Sequence, residues 1–306
     1  MNILLTGGSG FLGGAVYNAL FNKHKFSLIM RGNNYQLSGN SDVFYFDEFT
    51  GNSDFSPALS GVECVIHLAA LAHKTNVAVT QREYNEVNTL ATLKLAKQAA
   101  EQGVQRFIFI STIGVNGTSN VKPFQFEDLP NPSEDYSFSK YEAELGLKAI
   151  AKDTELEVVI IRPPLIYGKN APGNFGTLLK VTEKNLPLPL GAIDNRRSLV
   201  ALDNLIDLIE TCIDHPNAHN QTFLVSDDEN ISTSNLLKKL TLAAGKKPWL
   251  LPVPVSFLKF VASIVGKKTL VEKFSSSLTV NIDHTKKTLG WKPPITLDEG
   301  IRRCFK

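Results

Sequence analysis

Short apolar runs alternate with amphipathic segments through the first half of the chain. Six of the runs are typical of strands that are buried on both faces: Ile3–Leu5, Phe26–Met30, Val43–Phe46, Cys64–Leu68, Phe107–Ile110 and Val158–Ile161. Between several of them, the pattern indicates amphipathic helices at Leu12–Phe21, Leu90–Gln102 and Tyr136–Ala151. This βαβ alternation predicts an α/β fold with a doubly wound parallel sheet and helices on both of its faces.

The pattern changes after Arg162. Residues 168–191 are rich in Gly, Pro and Asn, Phe223–Val225 returns to strand character, and residues 232–306 are mostly helical. No low-complexity linker separates the halves, so we expect a smaller C-terminal part to pack directly on the first domain. The predicted division is a Rossmann domain at 1–167 with a later return around 194–226, and a C-terminal part at 168–193 and 227–306.

The most apolar stretch of the second half is Leu250–Val265. It is interrupted by Pro252, Pro254 and Lys259, and it is too short to cross a bilayer. We therefore expect a buried or substrate-covering helix here rather than a membrane-surface helix, and no stable membrane insertion.

The composition is that of a soluble globular protein, with 43% hydrophobic and 20% charged residues. A net charge of +2 gives no reason to expect a nucleic-acid partner. Cys64, Cys212 and Cys304 are widely spaced, so we predict neither a disulfide framework nor a metal site. The chain opens on the strand-like Ile3–Leu5 and leaves no room for a signal peptide, which indicates a cytoplasmic protein.

A glycine-rich turn, Thr6–Gly13, joins the first strand to the first helix. Gly7 permits the tight turn, Gly10 lets the backbone approach a pyrophosphate, and Gly13 lets the helix lie close to the strand. The free N–H groups and the positive end of the helix then face the phosphates. A strand before the turn and a helix after it are the context that indicates a dinucleotide cofactor.

The end of the second strand selects between the two nicotinamide cofactors. Arg31 stands where an NAD-binding site would have a carboxylate, and a guanidinium suits a 2′-phosphate. The residue therefore favours NADP(H), with NAD(H) as the alternative. Asp47, at the end of the third strand, is a candidate to bind the adenine amino group, with a turn or capping role as its alternative.

Tyr136 and Lys140 lie four residues apart in a predicted helix and hence on one face. An ammonium near a tyrosine stabilises the phenolate, so the tyrosine can exchange a proton with an alcohol or a ketone. Ser111 and Thr112 follow a central strand, at the edge where ligands bind in such sheets. A hydroxyl there can orient and polarise a substrate oxygen.

Together these motifs resemble the extended short-chain dehydrogenase/reductase family, in its branch of nucleotide-sugar epimerases, dehydratases and reductases. The resemblance covers nearly the whole chain. It implies that Thr112, Tyr136 and Lys140 are the catalytic residues, with Thr112 rather than Ser111 as the hydroxyl. It also implies a cofactor role for the segment after His67 and for Pro163. The full set of predicted cofactor residues is Gly7, Gly10, Phe11, Leu12, Gly13, Arg31, Asp47, Leu68, Ala69, Ala70, Tyr136, Lys140 and Pro163.

In this family the C-terminal part binds a nucleoside diphosphate sugar. The resemblance implies that Arg197 contacts the diphosphate, with Arg196 as the neighbouring alternative. A guanidinium fork is well shaped for pyrophosphate oxygens. Asn174 matches a substrate-contacting asparagine, and Asn88 matches an asparagine of the active-site helix, so both are predicted substrate residues. The family also implies a homodimer through the helices at Leu90–Gln102 and Tyr136–Ala151.

Departures from the family pattern reduce the number of reactions that the chain is expected to catalyse. Dehydratases carry an acidic pair directly after the catalytic threonine, but this chain has Ile113 and Gly114 there, which argues against a dehydratase. Reductases and 4-epimerases share every catalytic residue. Arg31 favours an NADPH-dependent UDP-4-keto-6-deoxy-(N-acetyl)hexosamine reductase for surface polysaccharide synthesis, with a UDP-glucose/UDP-N-acetylglucosamine 4-epimerase as the alternative. A non-catalytic, cofactor-sensing regulator is a third hypothesis, although such relatives typically lose Tyr136 or Lys140.

Overall fold

A computed structural model describes residues 1–31, 41–72, 79–264, 266 and 268–306, and the side chains of all of these except 31 and 268–270. Its strands are β1 Asn2–Thr6, β2 Lys25–Arg31, β3 Asp42–Phe46, β4 Cys64–His67, β5 Arg106–Ile110, β6 Glu157–Arg162, β7 Leu165–Tyr167, β8 Arg197–Ala201, β9 Thr222–Leu224 and β10 Asn230–Ile231. Seven of them form one sheet in the order β3-β2-β1-β4-β5-β6-β9, and every pair in it is parallel. The predicted doubly wound sheet is confirmed.

The helices connect these strands and cover both faces of the sheet. They are α1 Phe11–Leu20, α2 Gln81–Tyr84, α3 Ala91–Glu101, α4 Asp135–Asp153, α5 Gly173–Lys184, α6 Leu202–Asp214, α7 Thr233–Ala243, α8 Val255–Ile264, α9 Lys268–Ser275, α10 Asp283–Leu289 and α11 Leu297–Arg303. A π-helical segment, Asn85–Leu90, joins α2 to α3. Short 3₁₀ turns occur at Ser56–Leu59, Ile113–Val115 and Pro216–Ala218.

Alternate residues of β1 enter two separate cores, because successive strand side chains point to opposite faces. Ile3 and Leu5 lie in a buried cluster with residues of α1 and α6. Leu4 lies in a second cluster with residues of α3 and α4. The sheet is therefore covered by apolar helix faces on both sides, and this sandwich fixes the ends of its strands in space.

The strand register brings the predicted site segments to one edge of the sheet. Thr6 at the end of β1 is paired with His67 at the end of β4, and His67 is paired with Phe109 of β5. The carboxyl ends of the central strands thus meet at one place, followed in sequence by the glycine turn, residues 68–70 and Thr112. That edge is the location predicted for the ligand site.

A second, three-stranded sheet has the order β10-β8-β7. It belongs to a third apolar cluster with Tyr167, Phe175 and Leu199. The strand β8 pairs with β7 and β10, while β9 returns to the main sheet. The domain boundaries drawn from the sequence stay a prediction.

The apolar helix near residue 260 was expected to be buried or to cover the substrate, and the expected burial is wrong. Of the residues of α8, all of which the structure describes, only Ala262 is buried. Among the described residues, no helix is both long and apolar enough to cross a membrane. Nowhere in the described residues do three or more His, Cys, Asp or Glu side chains form a group that could hold a metal ion.

Candidate active site

The glycine turn after β1 forms a tight cradle against the start of α1. Gly7 has a φ of +74°, and the Gly10 N–H donates to the Gly7 carbonyl oxygen at 2.9 Å. A Cβ atom on Gly13 would lie 2.0 Å from that same oxygen, so the helix approaches the turn as closely as only glycine allows. No side chain caps the helix at Gly10, which leaves N–H groups of its first turn for a ligand. This geometry fits a pyrophosphate.

The segment after β4 forms the opposite wall of the turn. A Cβ on Gly7 would lie 2.7 Å from the Ala69 nitrogen, so the two backbones are in direct contact. The Thr6 Oγ1 accepts hydrogen bonds from the N–H groups of Leu68 at 3.2 Å and Ala69 at 3.1 Å. The predicted cofactor residues of these two segments therefore come together, and Thr6 holds them in place.

His67 is buried behind the segment after β4 and links Thr6 to Thr92. Its Nδ1 lies 2.7 Å from the Thr6 Oγ1, and its Nε2 lies 2.8 Å from the Thr92 Oγ1. Because the Thr6 oxygen already accepts two N–H groups, its own proton is left to donate to Nδ1, which places the imidazole proton on Nε2. Burial lowers the pKa of His67 well below its usual value, and the Lys140 charge adds to this. The imidazole is thus neutral and structural.

Asn88 connects the segment after β4 to the helix α4. Its side-chain oxygen accepts from the Leu71 N–H at 2.7 Å, and its Nδ2 donates to the Leu71 carbonyl at 3.0 Å and to the Ser139 Oγ at 3.1 Å. The residue is fully buried within the π-helical segment, a distortion that is frequent at functional sites. These contacts give Asn88 a positioning role, while its predicted substrate contact stays a prediction.

Tyr136 lies in the first turn of α4 and is half-buried. Its ring meets the ring of Tyr84 edge to face, with 6.1 Å between the centroids. Burial, with a smaller contribution from Tyr84, raises the pKa of the Tyr136 phenol to about 12. In the protein alone, this phenol therefore holds its proton.

Lys140 follows one turn later and is 1% exposed. Its Nζ lies 4.2 Å from the centroid of the Phe109 ring, a cation–π contact. Burial lowers the pKa of Lys140 to about 7, against an opposing effect of the Glu144 carboxylate. The helix α4 thus keeps an amine whose charged form is destabilised unless a ligand or a phenolate compensates its charge.

The buried Lys140 should weaken the cofactor-free fold fully below about pH 7, and progressively less as the pH rises to 10.5. Its pKa is near 7 when folded, against 10.5 for an ordinary lysine, so between these values the unfolded chain binds a proton that the folded chain has lost. The free energy of unfolding from this group rises with pH across that window. We expect Lys140→Met to stabilise the protein by on the order of 2 kcal/mol at pH 6 and by much less at pH 10. Denaturant unfolding at the two pH values measures this, with Lys97→Met on the exposed side of α3 as the control.

Thr112 caps a short 3₁₀ turn at the end of β5. Its Oγ1 accepts from the Gly114 N–H at 3.1 Å, which leaves the hydroxyl proton to donate to a substrate oxygen. The Ile113 N–H donates to the Pro163 carbonyl at 2.9 Å and ties this turn to the segment after β6. A Cβ on Gly114 would lie 2.3 Å from the Ser137 Oγ, so an acidic side chain does not fit there without moving Ser137. The geometry agrees with the argument against a dehydratase.

A buried ion pair under the site has no counterpart among the sequence predictions. The Arg162 guanidinium binds both carboxylate oxygens of Glu144, at 2.9 and 2.5 Å. The Ser111 Oγ donates to the same carboxylate at 2.5 Å, and Arg162 also donates to the Asn116 Oδ1 at 3.0 Å. Glu144 lies four residues after Lys140, on the buried face of α4. A carboxylate among the apolar positions of that face was the sequence signal that could have indicated a buried ion pair.

The remaining predicted residues lie around this centre. Asp47 is exposed just after β3, Asn174 is exposed in the first turn of α5, and the side chain of Arg31 lies outside the described part of the chain. Arg197 donates from Nη1 to the carbonyl oxygens of Lys273 at 3.0 Å and Ser276 at 3.3 Å. The structure thus brings together the turn, the segment after β4, Thr112, Tyr136 and Lys140, and it holds Arg197 against the end of α9.

Comparisons with known proteins agree with this geometry. The sequence profile of the NAD dependent epimerase/dehydratase family matches residues 3–226. A UDP-glucose 4-epimerase of Vibrio cholerae is 44% identical over 307 aligned positions, which cover 99% of this chain and 94% of that protein. The solved UDP-N-acetylglucosamine 4-epimerase from Bacillus cereus superposes with a TM-score of 0.82 at 19% identity, covering 100% of this chain and 98% of the other. UDP-glucuronic acid 4-epimerase from Bacillus cereus, solved in complex with UDP-glucuronic acid and NAD, gives a TM-score of 0.78 at 21% identity, covering 100% and 98%.

Proposed function

The chain belongs to the NAD dependent epimerase/dehydratase family, and from this premise we propose that it is a 4-epimerase of a UDP-activated sugar. The observation that carries the proposal is the 44% identity to a UDP-glucose 4-epimerase along nearly the whole chain. The intact set of Thr112, Tyr136 and Lys140 supports it. The reductase favoured by the sequence rests on Arg31 alone, whereas the comparisons favour the epimerase.

In the proposed reaction, Tyr136 removes the proton from the C4 hydroxyl while the C4 hydride leaves. The nicotinamide cofactor, when bound at the glycine turn, supplies the acceptor for that hydride and its return to the other face of the keto sugar. Lys140 stabilises the phenolate form of Tyr136, and Thr112 donates a hydrogen bond to the C4 oxygen. Tyr136 gives its proton back at the end, so no external oxidant or reductant is consumed.

The test is a nuclear magnetic resonance assay in D₂O. The purified protein is incubated with UDP-glucose or UDP-N-acetylglucosamine without added cofactor. We expect the C4 epimer to appear with hydrogen, not deuterium, at C4, because the hydride returns within the site and does not exchange with solvent. Consumption of NADPH with a UDP-4-keto sugar, and no epimer from either UDP-sugar, would show a reductase instead.

We propose NAD(H) as the resident cofactor, because an epimerase restores its cofactor within each cycle and needs no exchange with the NADPH pool. The expectation of NADP(H) from Arg31 stays a prediction that binding can test. Arg31→Asp should weaken NADP⁺ binding by about 1–3 kcal/mol, the scale of a lost charged hydrogen bond, and leave NAD⁺ binding nearly unchanged. Titration of the cofactor-free protein with each nucleotide measures this, with Lys97→Asp as the control. Equal NADP⁺ affinities would mean that Arg31 does not reach the 2′-phosphate.

We further propose that Arg197 binds the diphosphate, that Asn174 contacts the sugar nucleotide, and that the protein forms a homodimer. Large apolar side chains, Phe138 at 42% and Leu145 at 51% exposure, lie on α4, where a bundle of α3 and α4 from two copies would cover them. A monomer in sedimentation equilibrium at micromolar concentration would overturn the dimer.

A further inference from the structure

The outer face of α8 is apolar. Phe257, Phe260, Val261 and Ile264 are exposed by 57%, 62%, 41% and 70%. Their spacing of three, four and seven residues places them on one side of the helix, while Ala262 is its buried residue. An amphipathic helix of a globular protein normally turns such a stripe inward. Here the stripe faces away from the protein.

The segment before α8 extends this apolar face. Trp249 and Leu251 are exposed by 59% and 45%. The backbone that carries them is fixed, because the Leu188 N–H donates to the Trp249 carbonyl at 3.0 Å and the Leu251 N–H donates to the Leu188 carbonyl at 2.8 Å. We call the exposed side chains together the α8 surface: Trp249, Leu251, Phe257, Phe260, Val261 and Ile264.

The charged residues of the segment that carries the α8 surface are all of one sign, up to Glu272 in α9. Residues 245–271 contain five lysines and no aspartate or glutamate. Lys247 and Lys259 are exposed, on either side of the start of α8. A second copy of the chain would bring lysines against lysines, whereas anionic lipid headgroups complement them. Apolar side chains, a tryptophan and lysines in one helical region are the features of interfacial membrane binding.

The α8 surface is linked to the active site by α9. The Lys273 carbonyl of α9 accepts from Arg197, the predicted diphosphate residue, at 3.0 Å. The Lys273 Nζ lies 2.9 Å from the Glu134 Oε1, at the residue that precedes the catalytic helix α4. Through α9, the α8 surface is thus connected to the predicted diphosphate residue and to the start of α4.

We propose that the α8 surface docks this enzyme on an anionic membrane surface as a peripheral protein. Phe257, Phe260, Val261 and Ile264 enter the boundary between headgroups and acyl chains, and Lys247 and Lys259 contact the anionic headgroups. The docking does not depend on which sugar the site accepts. Its test is therefore separate from the test of the epimerase reaction.

The experiment uses the purified full chain and vesicles of equal parts phosphatidylglycerol and phosphatidylcholine, with pure phosphatidylcholine vesicles for comparison. We expect co-sedimentation with the anionic vesicles that weakens as salt is raised. Trp249 is the exposed one of the two tryptophans, since Trp291 is 5% exposed. The fluorescence emission should therefore shift to shorter wavelength on vesicle binding, and Trp249→Phe should remove the shift.

Two pairs of matched variants separate the apolar and charged contributions. Phe260→Glu with Ile264→Glu should lower vesicle binding by on the order of tenfold or more. Its control, Val121→Glu with Leu129→Glu, alters two apolar residues that are even more exposed, in a loop outside the C-terminal part. Likewise, Lys247→Gln with Lys259→Gln should weaken binding to anionic vesicles. The control for this pair changes exposed lysines of α3 and α4, as Lys97→Gln with Lys152→Gln.

Three results would overturn the proposal. The first is no co-sedimentation with the anionic vesicles at low salt. The second is an equal loss of vesicle binding in the α8 variants and their controls. The third is a change of oligomeric state on Phe260→Glu with Ile264→Glu, which would identify a contact between copies. All variants should melt as the parent does and turn over soluble UDP-sugar at the parent's kcat. If the parent itself turned over no UDP-sugar, the proposed function would fail while the vesicle result would stand.

Discussion

Tyr136→Phe should lower kcat for UDP-sugar epimerisation by about 10²–10⁴-fold, the contribution of a positioned general acid–base. The substitution removes only the phenolic oxygen. The ring can keep its edge-to-face packing on Tyr84, so the fold and the glycine turn should be unaffected. Cofactor affinity should therefore change little. The measurement is kcat from initial rates of epimer formation, together with a titration of NAD⁺.

The matched control is Tyr141→Phe, which removes a hydroxyl from a half-buried tyrosine five residues further along the same helix. It should retain near-parental kcat. If Tyr136→Phe retained comparable activity, the proton would have to move through another group, and the assignment of Tyr136 would be lost. A loss of NAD⁺ binding in step with kcat would instead indicate a structural defect.

The main sheet was predictable because its central strands are buried on both faces. The edge strand β3 was also expected to be buried on both faces, and this is wrong, since all of its residues are half-buried or exposed. Runs such as Ile3–Leu5 and Phe107–Ile110 are continuously apolar. The glycine turn indicated that the first strand is followed directly by a helix, as in a βαβ unit. The order of the motifs then placed Thr112 and Tyr136 at one edge, since the carboxyl ends of parallel strands share that edge. The partner of β8 was not predictable, because its short apolar run Leu199–Ala201 is equally suited to either sheet.

The position of α8 shows the limit of periodicity. An apolar stripe such as Phe257, Phe260 and Ile264 has the same spacing whether it faces a core or a membrane. The pattern favours a buried or substrate-covering helix because these are the common cases, and the structure contradicts the burial. The lysines around it, with no acidic residue from 245 to 271, were the signal that distinguishes the two.

Asn88 illustrates a different limit. A matching family motif indicates that a position is constrained, but it does not say by what. In the structure, the Asn88 amide is hydrogen-bonded to Leu71 and Ser139, so it joins the segment after β4 to the helix α4. These contacts give Asn88 a positioning role that the motif alone does not reveal, and its predicted substrate contact stays a prediction.

The ion pair of Glu144 and Arg162 was also beyond the sequence, because its two members come from a helix and a strand. The partners that helical spacing suggests for Glu144 are instead Lys140 and Lys148, each four residues away. Glu144 is fully buried, and Arg162 is 2% exposed. The pair joins α4, which carries Tyr136 and Lys140, to β6, and the Ser111 hydroxyl extends it to the end of β5. It therefore ties the helix of Tyr136 and Lys140 to the strand end that precedes Thr112.

Glu144→Ala should destabilise the protein by about 3–5 kcal/mol, because it leaves the Arg162 guanidinium buried without its counter-charge. Denaturant unfolding measures the loss. Asp298→Asn, which breaks an exposed pair with Lys239, is the control and should cost at most about 1 kcal/mol. The double variant Glu144→Leu with Arg162→Met should recover much of the stability, since apolar replacement of both members removes the unpaired charge. It should not recover full kcat, because Ser111 then loses the carboxylate that holds the turn leading to Thr112. Equal losses in Glu144→Ala and Asp298→Asn would mean that the buried pair does not anchor the site.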